Sequence, residues 1–404
     1  MLTPINRLKN QRIISIDAFR GITFLMMIIV NELASVVGIS PWLKHMPASA
    51  DAMSFPDIVF PAFLFIVGMS IPFGINHRIS KGETRFKLNL HTLLRALALI
   101  IMGVFMVNAE DGYHQASMSM PIQLWALLSY IAFMLIWGVY QFKQPILNYV
   151  LTSTGVIMLI FLALNYHGGV DGNQSMLPHW WGILGLIGWA YLISCVVYQL
   201  CQGKQALLLL SIAICTAIYI LTHQASIVAT AQTNHLLQFV LSWDAHAAHS
   251  SIVLCGLLCS LIFFEEDERL SQANRFLRAM GLTLALIATA MLLRPEFKIS
   301  KIYATPSWCF YSAAICISIF SFLYWLIDLK HVQAWMRLVK PAAINPLICY
   351  LLPFVIESLL SLSGLRSPLR SFEGSAGMLA ALLYASLIML AVHGLNKANF
   401  RLKF

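Results

Sequence analysis

Twelve times along this 404-residue chain, an apolar run of roughly 20 residues alternates with a polar connector. That repetition constrains the fold more than anything else in the sequence. A run of this length matches the hydrocarbon core of a bilayer. In hydrocarbon each backbone N–H and C=O must find its partner inside the segment, so such a run has to be a helix. The runs are continuously apolar instead of alternating, which excludes a closed β-barrel. The expected spans are 19–38, 57–77, 90–108, 121–141, 147–165, 180–200, 206–223, 247–264, 276–294, 306–328, 342–362 and 374–395. Charged residues make up only 11% of the chain, against about 25% in soluble domains. The fold expected is all-α: a polytopic membrane helix bundle of about twelve spans, forming one integral domain over 1–404.

Charge gives an orientation. Lys and Arg are retained on the cytoplasmic side of membrane helices. If both termini are cytoplasmic and the loops alternate, twenty basic residues fall inside, among them Arg7, Lys9, Arg12, Lys143 and Arg269. Six fall outside: Lys44, Arg294, Lys298, Lys301, Arg366 and Arg370. The net charge of +9 is therefore topological. It gives no reason to expect nucleic acid as a partner, because no soluble basic domain is present. The first apolar run reads as a signal anchor. All eight cysteines fall in or at the ends of spans, where they serve as small apolar fillers. The run Glu265-Glu266-Asp267-Glu268 reads as a solvated turn.

The ionisable residues inside this apolar background are the functional candidates. Asp17, Arg20 and Asn31 share one face of the first helix, at 100° per residue. They suit either an interhelical hydrogen-bond clasp or a site. His45 lies in the compact loop between the first two spans, and Asp57 opens the second span behind Pro56. A carboxylate that fixes an imidazole tautomer makes the histidine a general base or a nucleophile. Equally, a carboxylate at a helix start favours the helix dipole. Pro61, Gly68 and Pro72 are expected to interrupt the second helix.

Three further places stand out. Asp244-Ala-His246-Ala-Ala-His249 has histidines three apart, but two His and one Asp are few ligands for zinc. A polar cap or substrate contact is expected there, and no metal. Arg294, Lys298 and Lys301, with Arg366 and Arg370, break the positive-inside pattern. They suit inter-loop salt bridges or an anionic group. Asn345-Pro346 opens a late span, with Tyr350 one turn on, as a helix start or a ligand wall.

Taken together, Ser15-Ile-Asp17-Ala-Phe-Arg20-Gly21, Val30-Asn31, Lys44-His45 and Asp57-Ile-Val-Phe60-Pro61 resemble the transmembrane heparan-alpha-glucosaminide N-acetyltransferases. The resemblance is strongest over 12–75 and is closest to a bacterial branch associated with N-acetylglucosamine metabolism. Lys298 to Trp308 and Asn345-Pro346 share it. The family's Asp-Pro-Glu-Gly appears here as Asp244-Ala-His246-Ala247, without the glutamate. The resemblance implies an inner-membrane enzyme with acetyl-CoA as co-substrate and a homodimeric assembly. It would move acetyl from cytoplasmic acetyl-CoA to the amine of a glucosamine-type sugar on the periplasmic side. It implies His45 as the active histidine, with Asn31 and Asp57 beside it; Asp17, Arg20, Asp244, Lys298, Lys301, Trp308, Asn345 and Tyr350 are the further residues expected to contact substrate or CoA. The other reading is a carrier for amino sugars or cell-wall fragments, since twelve spans with both termini inside is a common carrier layout.

Overall fold

The structure, a computed structural model, describes residues 4–6, 8, 13–140, 142, 144–224, 234, 238, 241–266, 270–365 and 367–403. Arg7, Lys9, Arg12, Lys143, Asp267, Glu268, Arg269 and Arg366 lie outside the described residues. The described residues form thirteen α-helices and no strand. In chain order they are α1 (Ile14–Leu33), α2 (Pro56–Ser80), α3 (Arg85–Glu110), α4 (Ile122–Trp137), α5 (Pro145–Leu164), α6 (Gly182–Leu200) and α7 (Gln205–Thr222). Then come α8 (Asp244–Phe264), α9 (Gln272–Leu293), α10 (Pro306–Tyr324), α11 (Lys340–Ile344), α12 (Pro346–Leu362) and α13 (Gly374–Lys397).

Ten of these helices are long and apolar enough to cross a membrane, and α4 and α12 are shorter apolar helices. Each of the twelve falls on one expected span, and the protein is an all-helical polytopic membrane protein. The first span is displaced from expectation. It begins at Ile14 and ends at Leu33 instead of covering 19–38. Asp17 therefore lies in the first turn of α1, where a carboxylate favours the helix dipole.

The chain divides into two compact units. The first comprises Met1–Phe19, Pro41–Ala96 and Ile187–Gln333, the second Arg20–Ser40, Leu97–Leu186 and Ala334–Phe404.

In the first unit α8 is the core. Every residue across its apolar window is buried, and it packs against α2, α7, α9 and α10. A helix buried all round needs small residues where backbones meet. Gly68 of α2 faces the Val253 carbonyl, and a Cβ there would stand 1.8 Å from that oxygen. Gly256 of α8 reciprocates, its Cβ position lying 2.0 Å from the Phe65 carbonyl. The two backbones thus touch at a pair of glycines.

The expected interruption of α2 is not found. The helix runs unbroken for 25 residues with Pro61 and Pro72 inside it. Proline at 61 cannot donate to the carbonyl of residue 57. The Trp308 indole N–H of α10 supplies that bond to the Asp57 carbonyl at 3.2 Å. A borrowed donor thus satisfies the carbonyl that Pro61 leaves free.

At the other end of α2 a polar knot ties down the first residues of the chain. The Ile5 N–H donates to Asn76 Oδ1 at 2.8 Å, and the buried Tyr198 hydroxyl donates to Asn6 Oδ1 at 2.8 Å. Glu265 accepts from the side chains of Asn6 and Gln205, and its backbone carbonyl accepts from Arg275. Glu265, half-buried, is thus a hub of hydrogen bonds, where the first residue of a solvated turn was expected.

In the second unit α4 packs against α5 and α12, and α13 packs against α11 and α12. The Trp125 indole of α4 donates to the Leu162 carbonyl of α5 at 2.9 Å. Gly103 of α3 and Gly185 of α6 meet backbone to backbone, a Cβ on Gly103 standing 2.3 Å from the Gly185 nitrogen.

Substitution at the glycine seam tests this packing. Gly256→Ala is expected to cost at least about 1–3 kcal/mol, because backbone cannot yield as a side chain does. Gly74→Ala in the same α2, with nothing near its Cβ position, is expected to stay within about 0.5 kcal/mol of wild type. Thermal unfolding of the two purified variants in detergent checks the contrast.

Candidate active site

Two connectors of the first unit build the site. One joins α1 to α2 and carries His45; the other joins α9 to α10 and carries Lys301. Asp57 stands between them as the second residue of α2, fully buried at 1% exposure.

The local sequence explains how Asp57 is held. Ser54-Phe-Pro-Asp57 is a serine followed three residues on by an acid, just before an apolar run, the pattern of a capping box. The acid reaches back as that motif requires. Asp57 Oδ2 accepts from the Ser54 N–H at 3.0 Å, the Ser54 hydroxyl at 2.9 Å and the Met46 N–H at 3.2 Å. Its other oxygen, Oδ1, lies 2.7 Å from His45 Nδ1. A carboxylate surrounded by donors is an acceptor only, so the His45 proton sits on Nδ1 and points to Asp57. This tautomer follows from the hydrogen-bond network. It leaves the Nε2 lone pair outward, on a side chain that is 42% exposed.

Lys301 closes the group. Its Nζ lies 3.2 Å from His45 Nδ1 and 3.4 Å from Nε2. Burial pushes the Lys301 pKa below the usual lysine value, and the negative charge of Asp57 opposes that shift.

Asp51, absent from the sequence reading, clamps the connectors together. Its carboxylate takes the Arg294 Nε–H at 3.0 and 3.1 Å and the Ile299 N–H at 2.8 Å. The Ser300 hydroxyl adds a bond to the Ala48 carbonyl at 3.2 Å. Donation from the Ile299 N–H, followed by Arg294, holds the Asp51 carboxyl below the usual range. No sequence pattern marks this residue, because its partner stands 243 positions away.

The other expected site residues divide by unit. Trp308 is buried, and its N–H is spent on the Asp57 carbonyl. Lys298 is exposed beside Asp51 on the same connector as Lys301. Asp244 begins α8 with one oxygen 3.7 Å from His223 Nε2, and the His223 ring stacks on Tyr219 at 4.2 Å. Sequence reasoning missed His223 because its pairing is made across two helices. His246 lies among the rings of Trp189 and Trp243, and His249 is buried against Phe60 and Trp308. Among the described residues no group of three His, Cys, Asp or Glu side chains is arranged to hold a metal ion. Asp17 is half-buried in the first unit.

Arg20, Asn31, Asn345 and Tyr350 belong to the second unit. Asn31 is exposed in the last turn of α1. Asn345 is fully buried, its amide donating to the Phe400 carbonyl at 2.8 Å and accepting from the Leu402 N–H at 3.3 Å. Both ends of that amide hold the chain after α13. Tyr350 packs on Phe354, with ring centroids 5.4 Å apart. Arg370, one of the cations expected outside, lies 2.8 Å from Glu357 and 3.7 Å from Glu32.

A family model described as "Domain of unknown function (DUF5009)" matches residues 12–235, a range that contains the His45 and Asp57 half of the site. The chain belongs to the DUF5009 family. This DUF5009 protein is also 36% identical over 98 residues to heparan-alpha-glucosaminide N-acetyltransferase of Homo sapiens. It is 34% identical over 98 residues to the enzyme of that name from Mus musculus. The matched stretch covers 24% of this chain and 14% of the length of each of those relatives.

Two substitutions probe the scaffold of the site. Trp308→Phe leaves the Asp57 carbonyl buried without a donor, which costs about 1–3 kcal/mol, read by thermal unfolding. Asp51→Asn acts through pH. A folded-state pKa held below the unfolded value gives stability that is complete above the unfolded pKa and is lost as pH falls through the folded one. The melting-temperature gap between wild type and Asp51→Asn is therefore expected at neutral pH and closes under acid. A gap unchanged down to pH 3 would contradict the clamp.

Proposed function

We propose that this protein is a transmembrane acetyltransferase, moving acetyl from cytoplasmic acetyl-CoA to the amine of a glucosamine-type sugar on the opposite, outer side. The observation that carries the reading is the His45–Asp57 pair, with Nδ1–H fixed on the carboxylate at 2.7 Å and Nε2 presented outward. The similarity to the N-acetyltransferases named above supports it.

The geometry of α2 suits donor and acceptor on opposite sides. Arg78 lies 21 residues along α2 from Asp57, about 32 Å at 1.5 Å per residue. That matches the roughly 30 Å hydrocarbon thickness. Half-buried Arg78 pairs with Glu83 at 2.9 Å, and three exposed cations, Lys81, Arg85 and Lys87, lie close by in sequence. These cations would meet the CoA phosphates while the thioester extends toward His45.

The chemistry requires a base. The acceptor nitrogen, as neutral amine, attacks the thioester carbonyl carbon, and the C=O π pair moves onto oxygen. His45 Nε2 takes the proton from the attacking nitrogen. The oxygen pair then re-forms the carbonyl, the C–S bond breaks, and CoA thiolate leaves with the bonding pair and receives a proton. Asp57 holds the tautomer and stabilises the imidazolium as it forms. Base catalysis of this kind is worth about 10²–10⁴-fold. An acetyl-imidazole route uses the same Nε2 lone pair as nucleophile.

Purified protein in detergent is expected to transfer radiolabelled acetyl from acetyl-CoA to glucosamine-type acceptors, with His45→Ala slower by about 10²–10⁴-fold. Transfer that survives in His45→Ala discards this centre. A folded wild type that acetylates none of a panel of amino sugars overturns the enzyme reading and directs the work to uptake by vesicles.

A further inference from the structure

We propose that Lys301 is a catalytic residue of this centre: its ammonium stands where the oxyanion of acetyl transfer forms. This rests on the acetyltransferase reading and adds to it a residue that stabilises charge.

The position of Nζ is the first reason. It lies almost equally far from the two ring nitrogens of His45, at 3.2 and 3.4 Å. Such a point is beside or above Cε1, off the lone-pair axis of either nitrogen. Nδ1 already carries a proton directed at Asp57, so it cannot accept from an ammonium. Lys301 is therefore beside the reactive Nε2 without occupying its lone pair.

The second reason is that its charge is not spent. An ammonium has three donors. The Asp57 oxygens, the nearest anionic atoms, already take His45, Met46 and two donors of Ser54. Among the described residues Lys301 makes no ion pair within 4.0 Å, whereas Arg294 has Asp51 and Arg370 has Glu357. Burial that lowers the Lys301 pKa records what holding this cation costs the resting protein. Arrival of negative charge on a carbonyl oxygen next to Nε2 reverses that cost.

The third reason is that the backbone around Lys301 is fixed before substrate arrives. The Ile299 N–H is bonded to Asp51, the Ser300 N–H to Thr305 Oγ1 at 3.0 Å, and the Ala304 N–H to the Lys301 carbonyl at 3.1 Å. A donor aimed in advance at developing charge is the most effective kind, because nothing reorganises at the moment of reaction. Direct attack by the amine and passage through acetyl-imidazole both place an oxyanion beside Nε2, so the role holds for either route.

The test compares Lys301→Met, Lys301→Gln and Lys301→Arg in the full chain, using acetyl-CoA and glucosamine. Removing one such donor lowers kcat by about 10²–10³-fold. That loss is expected in both neutral variants, with acceptor KM nearly unchanged. Lys301→Arg keeps the charge but replaces the compact ammonium by a planar fork, and its kcat is expected to lie between wild type and the neutral variants. Added ethylammonium is expected to restore part of the kcat of Lys301→Gln, which a merely structural role does not predict. An unchanged kcat, or a loss confined to KM, overturns the proposal. If wild type transfers acetyl and His45→Ala does not, while the neutral Lys301 variants match wild type, the enzyme reading stands and this role alone falls. If folded wild type transfers nothing, both fall together.

Discussion

The arrangement around His45 depends on one buried carboxylate. Asp57 is reached from three directions: by His45 from its connector, by Ser54 from the turn before α2, and by Trp308 from α10 onto its backbone. Each contact answers a specific physical demand. The carboxylate is buried, and burying a charge is expensive unless its lone pairs are filled. Pro61 withholds the donor that the carbonyl would otherwise use, and the indole replaces it. Removing any one partner leaves a polar group stranded in an apolar surround. The geometry of the His45–Asp57 pair and the local stability are thus held by the same atoms.

The outer-facing cations of the charge reading sort by the same reasoning. Arg294 and Arg370 are neutralised by carboxylates within their own units, Asp51 for one and Glu357 with Glu32 for the other. Guanidinium suits that work because it presents a planar fork of donors. Lysine stands where the contact is an imidazole, and a compact point charge on a flexible stem fits beside a ring edge.

Much of the fold was legible because hydrocarbon leaves few choices. Twelve apolar runs had to become helices, and each did. The first was misplaced by five residues because the turn from Ile14 to Asp17 joins α1, and because the chain leaves the helix after Leu33 through a turn. The His45–Asp57 pairing was legible from loop length and resemblance, and Ser54-x-x-Asp57 gave a local signal that went unused. Asp51 was not legible, since ion pairing across 243 positions leaves no trace in one sequence. Pro61 was read as a break because sequence shows the lost donor and not the indole that replaces it. Asn345-Pro346 fits a helix start or a ligand wall from sequence alone, because an amide looks the same whether it meets substrate or the carbonyl of Phe400.

The glycine seam limits how acetyl could cross. At Gly68 and Gly256 the space for a single Cβ is already taken by backbone oxygen. A pantetheine arm is thicker than a methyl group, so it cannot run between α2 and α8. The same seam keeps the start of α2, and with it Asp57, at a fixed height relative to α8. A transmembrane acetyltransferase needs both properties: an acyl group that travels and a base that does not. The seam closes one face of α2, so under the proposed acetyl transfer a thioester would have to follow a different face of that helix to reach His45.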